Sequence, residues 1–99
     1  MAKSQPNAHQ RLTQLNALLH ALSHPARRQI LMTIQFRGEM TAGEIAARFR
    51  HSWPTTTRHL RVLEKAQLVE VTQAGRIRKY QIYVARLNPL IEWLNWFGK

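Results

Sequence analysis

Apolar residues recur at three- and four-residue steps through most of this chain and alternate with polar ones in only one region. Leu12, Leu15, Leu19 and Leu22, with Leu18 broadening the stripe, predict an amphipathic helix from about His9 to Leu22. Ser23-His24-Pro25 breaks and restarts the chain. Ser23 or His24 stands near a cap, and Pro25 opens a second helix through roughly Phe36, which Ile30, Leu31, Met32 and Ile34 bury and Gly38 ends. Thr41-Ala42-Gly43-Glu44 fits a capping box, in which hydroxyl and carboxylate each satisfy a free backbone donor; the short third helix behind it buries Ile45, Ala46 and Phe49. Arg50 and His51 alone separate this helix from Ser52, a second cap, and Pro54 suits the first turn of a fourth helix ending near Ala66, with Thr56, Leu60 and Leu63 as its buried row. Val69 to Gln73 then alternates, Ala74-Gly75 supplies a turn, and Ile77 to Val84 predicts a second strand with Tyr80, Ile82 and Val84 on one face. Asn88-Pro89 caps and opens a last helix. Its apolar face is Leu90, Ile91, Leu94 and Phe97, and Trp93 and Trp96 add a second, more than a small monomer covers easily. Residues 1–8, polar and without periodicity, are expected to form a loose arm, which leaves 9–99 as one domain.

The fold class is therefore mainly α, about five helices plus a two-stranded β-hairpin. A two-residue link between the third and fourth helices has the length of the tight turn in a helix-turn-helix, so those helices cross at close range. On the fourth helix, a step of about 100° per residue points Thr55, Arg58 and Val62 away from the buried row and sets Thr57 and Arg61 on its flanks. No acid follows until Glu64. Such a face suits a polyanion.

Charge narrows the partner. Fifteen Lys and Arg against five Asp and Glu leave +10, which makes nucleic acid, an anionic membrane or an acidic protein the expected classes. No run approaches the ~20 apolar residues of a membrane span, and no cleavable apolar segment stands near the start. The absence of Cys removes disulfides, thiol catalysis and thiolate metal sites together, and cytoplasm is the expected location. Paired carboxylates in a cleft and a phosphate-cradling Gly loop are both missing, so no enzyme is expected. Arg76, Arg78 and Lys79 gather near the hairpin tip with no acid between Glu70 and Glu92 to balance them. Arg27 and Arg28 occupy the first turn of the second helix, where the helix dipole disfavours them, so a phosphate or carboxylate is expected to hold them. His20 and His24 have the i, i+4 spacing of a metal pair, but the helix ends there and no third ligand is evident.

Three stretches, Ala21-Leu22-Ser23-His24-Pro25-Ala26-Arg27-Arg28-Gln29-Ile30-Leu31, Met40-Thr41-Ala42-Gly43-Glu44-Ile45-Ala46 and Arg58-His59-Leu60-Arg61-Val62-Leu63, resemble successive signatures of the ArsR/SmtB-type winged helix-turn-helix repressors. The resemblance covers about residues 12 to 97. It implies a homodimer joined through the first and last helices, with Leu12, Leu15, Leu19, Leu90, Ile91, Leu94 and Phe97 at the interface. It also implies a recognition helix in each major groove of double-stranded DNA and a hairpin wing over an adjacent minor groove or backbone. Many members sense metal through Cys near the recognition motif or through paired Asp and His on the last helix. This chain has no Cys, and Pro89 to Lys99 offers only Glu92, so a branch without metal site or cofactor is expected. Arg50 and Gln67 stand where relatives often carry Gly; a left-handed backbone there costs on the order of 1 kcal/mol each, so slightly altered turns are expected.

The residues expected at DNA are Trp53, Pro54, Thr55, Thr57, Arg58 and Arg61 on the recognition helix and Arg76, Arg78 and Lys79 on the wing. Most have a plainer reading: Arg58 as a phosphate clamp or a solvated surface charge, the threonines as capping residues, Trp53 as a staple at the helix start, and the wing cations as a solvated tip. The expected function is a DNA-binding repressor on an inverted-repeat operator, its inducer unknown and an activator's role sharing the same fold. Two rivals remain, a metal- or ligand-responsive repressor of this fold and a winged-helix module that docks RNA or an acidic protein.

Overall fold

The helices that the apolar steps predict all form, and the N-terminal ends of the first four are fixed by bonds between a side chain and the backbone. The computed structural model describes residues 7–98. In chain order these are α1 (Ala8–Leu22), α2 (Pro25–Arg37), β1 (Met40–Thr41), α3 (Ala42–Phe49), α4 (Trp53–Lys65), β2 (Val69–Ala74), β3 (Ile77–Ile82), a 3-10 turn (Val84–Leu87) and α5 (Asn88–Trp96). The expected arm falls mostly outside the described residues, but Asn7 and Ala8 already belong to the start of α1. Asn7 Oδ1 accepts from the Gln10 N–H at 2.8 Å, and Gln10 Oε1 accepts from the Asn7 N–H at 2.9 Å. This reciprocal cap sets the helix start, and losing the Asn side chain costs about 1 kcal/mol. Thr41 and Glu44 make the same box at α3, as their spacing predicts.

The two arginines that α2 ought to repel are held by α1 instead of by phosphate or carboxylate. Arg27 donates from Nε to the Ala21 carbonyl at 2.7 Å and from a terminal nitrogen to that of His20 at 3.2 Å; Arg28 donates to Leu22 at 2.7 Å. The last turn of α1 leaves the Ala21 and Leu22 carbonyls without helical partners at the negative end of its dipole, while the His20 carbonyl also accepts from the Ser23 N–H. One helix's unfavourable charge thus becomes the other's C-terminal cap. His24 closes the junction, its Nδ1 accepting from the Ala26 N–H at 3.1 Å.

Leu18 and Ala21 of α1, Ile30 and Ile34 of α2, Ile45 of α3 and Leu60 and Leu63 of α4 meet over Met40, Val69 and Tyr80 of the sheet. The sheet has three strands, not two. β1 pairs antiparallel with β3 through Met40 with Tyr80 and Thr41 with Lys79, giving the order β1-β3-β2. A two-residue strand is too short to show alternation, and its pairing joins the start of the helix-turn-helix to the wing. Gly75, with φ 63, takes the first place of the two-residue turn between Ala74 and Ile77.

Several expectations fail locally. Met32 is 72 % exposed, because the buried side of α2 is narrower than its run of apolar residues. β3 ends at Ile82, so Val84 lies exposed in the 3-10 turn. Asn88 makes no cap: α5 continues from the 3-10 turn with Leu87 in helical geometry at its boundary. Val62 packs half-buried against the core instead of facing outward. Arg50 (φ 54) and Gln67 (φ 60) adopt the left-handed backbone without glycine, so the turns are not altered at these positions and each carries the strain of a Cβ.

Candidate nucleic-acid interface

Two residues, Arg50 and His51, carry the chain from α3 to the cap of α4. The left-handed Arg50 turns it, and Ser52 then caps α4, its Oγ accepting from the Thr55 N–H at 3.3 Å and donating to Thr55 Oγ1 at 2.9 Å. Thr55 is thereby engaged in the cap, the plainer of its two readings, while Thr57 stays half-buried beside the core. Thr56, His59, Leu60 and Leu63 seat the helix. On the open side Arg58 and Arg61 are exposed and line a shallow depression with Val62, Glu64 and Lys65. Lys65 escaped the sequence reading although it continues the cationic row at helical steps from Arg58 and Arg61. Trp53 is 59 % exposed and Pro54 lies open beside it, so the indole does not close the helix start as a staple. It extends the apolar and cationic surface at the N-terminal end of α4.

His59 fixes the posture of this helix. Its buried ring lies 4.6 Å from that of His24 at the start of α2 and 5.6 Å from that of His51 in the turn, centroid to centroid. The Arg27 guanidinium comes within 3.4 Å of its Nδ1. An arginine can only donate, so this approach favours the neutral tautomer in which Nδ1 accepts. Burial first, and then the neighbouring His24, Arg27, His51 and Arg58, push the His59 pKa below its ordinary value of 6.5. Spacing along the chain does not reveal this setting, because the neighbours of His59 come from the start of α2 and from the turn before α4.

The three wing cations do not act as a unit. Arg78 and Tyr80 share one face of β3, where Arg78 donates from one terminal nitrogen to both Glu64 oxygens at 2.9 and 3.1 Å, and from Nε to the Tyr80 hydroxyl at 3.1 Å. The Tyr80 hydroxyl and the Glu64 carboxylate raise the Arg78 pKa further. Lys79, on the opposite face, lies 3.7 Å from a Glu39 oxygen. The wing is thus balanced by acids from α4 and from the segment before β1, which a scan along the hairpin itself misses. Arg76, in the exposed turn, has no ion pair among the described residues.

Among the described residues no group of three or more His, Asp or Glu is arranged to hold an ion, and the His24 nitrogen nearest the backbone is already used as a cap. Among the described residues no helix is long and apolar enough to cross a membrane.

A family model described as a helix-turn-helix domain matches residues 22–72, which span α2, α3, α4 and the start of the wing. The transcriptional repressor SdpR of Bacillus subtilis is 35 % identical over 86 residues, covering 86 % of this chain and 94 % of its own length. A crystal structure of an ArsR family transcriptional regulator superposes with a TM-score of 0.80 at 28 % identity, over 99 % of this chain and 93 % of the other. The solution structure of a homodimeric winged helix-turn-helix DNA-binding domain from Mycobacterium bovis gives 0.74 at 28 % identity, over 96 % and 90 %.

Proposed function

This chain belongs to the ArsR family of winged helix-turn-helix transcriptional regulators, and from that membership we propose that it is a homodimeric repressor that reads an inverted-repeat operator without a metal sensor site. The observation that carries the reading is the state of α4. Its inner side is locked by four buried residues and a side-chain cap, while its outer side offers Arg58, Arg61 and Lys65, and its one acid, Glu64, is occupied by Arg78.

The proposed interface takes Arg58 and Arg61 to base edges or phosphates in the major groove, with Thr57, Thr55, Trp53 and Pro54 against the sugar-phosphate and thymine-methyl surface at the helix start. Arg76 reaches the backbone from the wing tip. Arg78 and Lys79, each already facing a carboxylate, reach phosphate only by exchanging that partner. Two-fold symmetry through α1 and α5 sets the recognition helices one turn of DNA apart, roughly 34–36 Å. The exposed Leu12, Leu19, Ile91, Leu94 and Phe97 support that interface. Leu15, covered within the protomer beneath a cleft between α1 and α5, supports it from below instead of meeting the partner.

Footprinting on fragments of the host genome tests the function: protection of paired half-sites, lost steeply with added salt through counterion release, is the expected result. Equal affinity for all duplexes defeats it, and preferential capture of RNA or an acidic protein transfers the surface to another partner. Calorimetric titration with zinc tests the metal-free part, which fails if zinc binds and displaces DNA.

A further inference from the structure

The outer side of α2 carries an apolar surface that the protomer leaves open. Leu31, Met32 and Phe36, with Gln35 among them, form one wall of a groove of about 590 Å³ whose other wall includes Val84 and Leu87 of the 3-10 turn. Phe36 is 91 % exposed. Among the described residues no charged side chain lines this groove, on a chain of net charge +10, so a nucleic acid or an anionic surface gains nothing from charge there. Two copies of a strongly cationic chain, in contrast, need uncharged surface on which to meet.

The matching protrusion lies on the same chain. Trp96, 75 % exposed, and Phe97 project at the end of α5, and Leu87 stands where α5 begins. Groove and aromatic knob are thus separated by the length of one nine-residue helix. An isologous two-fold contact requires each copy to present both halves of a complementary pair. With the axis crossing near the middle of α5, each knob falls at the partner's groove, and the contact forms twice.

We propose that the groove between α2 and the Val84–Leu87 turn receives Trp96 and Phe97 of a second copy. This rests on the homodimer reading and extends its interface from α1 and α5 onto α2. The extension has a mechanical consequence. α2 meets His59 of α4 through Arg27 in its first turn and offers Met32 and Phe36 to the partner further along, so the partner grips the rod that sets the recognition helix. The spacing of two such helices is then fixed by packing instead of being left to α1 and α5 alone.

The cysteine-free sequence allows a direct test. Phe36→Cys and Phe97→Cys chains are purified separately, mixed until subunits exchange, oxidised and run without reductant, with sedimentation of the unmodified chain alongside. A disulfide-linked dimer in the mixture, absent from either chain alone, is expected. Phe36→Lys, whose exposed position leaves the circular dichroism unchanged, weakens dimerisation by about tenfold or more. If the unmodified chain is dimeric but the mixture does not cross-link and Phe36→Lys dimerises normally, the groove serves another occupant and the inference is overturned while the dimer stands. If the unmodified chain sediments as a monomer at all working concentrations, the dimer reading itself falls, and the groove contact with it.

Discussion

Four of the thirteen residues of α4 are buried, whereas none of the nine residues of α5 is. Both helices carry an apolar stripe, and both carry a proline in the first turn. The stripe of α4 lies against the core, so what it shows outward is guanidinium and ammonium. α5 packs on α1 and the 3-10 turn and holds Leu90, expected at a dimer interface, half-buried against the core, and what it shows outward is Ile91, Trp93, Leu94, Trp96 and Phe97. The difference separates two kinds of unfinished surface. A cationic face is stable in water and waits for a charged partner, with salt-dependent affinity. An exposed aromatic face is costly in water, so its partner is required for the assembly as much as for the function.

The largest expected effect breaks the α5 side. Leu94→Glu puts a carboxylate in the centre of the apolar face and is expected to yield a monomer, with operator affinity reduced by about 30-fold or more, the loss of a central interface residue. Sedimentation and gel retardation check it together; a monomeric variant with undiminished affinity sinks the link between the two helices. Arg58→Ala strikes the α4 side without touching assembly. If Arg58 reads a base it costs about 1–3 kcal/mol on the cognate site and relaxes preference at one position, whereas an even loss on every duplex with a salt slope lower by about 1 makes it a phosphate contact.

Acid sharpens the comparison, since only α4 rests on a histidine. The folded pKa of His59 lies below its ordinary value of 6.5, so the unfolded chain takes up the proton first. Stability is complete above about pH 6.5, falls as the pH drops from there toward the folded value, and then stays at the lower level. Urea unfolding across pH 8 to 5 is expected to show this slope, and His59→Gln, which keeps a neutral acceptor for Arg27, to flatten it. An equal slope in both proteins returns the acid sensitivity to other groups. The smallest effect is expected from Glu64→Gln. The exposed pair contributes about 0.2–1 kcal/mol at most, but freeing Arg78 for phosphate is expected to steepen the salt slope of DNA binding by about 1. An unchanged slope keeps Arg78 on the wing.

The capping box of α3, the two-residue turn, the hairpin and the buried rows of α3 and α4 were legible because each depends on residues within a few positions of one another. Periodicity, cap chemistry and turn length are local properties, and the core they imply assembled as expected. The resemblance to the family was legible for the same reason, its signatures lying along contiguous stretches. Met32 and Val84 were misplaced because an apolar residue is written identically whether it is buried or exposed.

Chain order alone determined that this protein has a helix-turn-helix with a cationic recognition face and an excess of apolar surface at its last helix. Tertiary structure decided which charges remain free. Arg27 and Arg28 cap α1, Arg78 meets Glu64 from fourteen positions away, Lys79 meets Glu39, and His59 is surrounded by His24, Arg27 and His51. The physical reason is range. Helix and turn formation are governed by neighbours a few residues apart, while the pairing of charges and the neutrality of a buried imidazole depend on segments that only folding brings within about 4 Å.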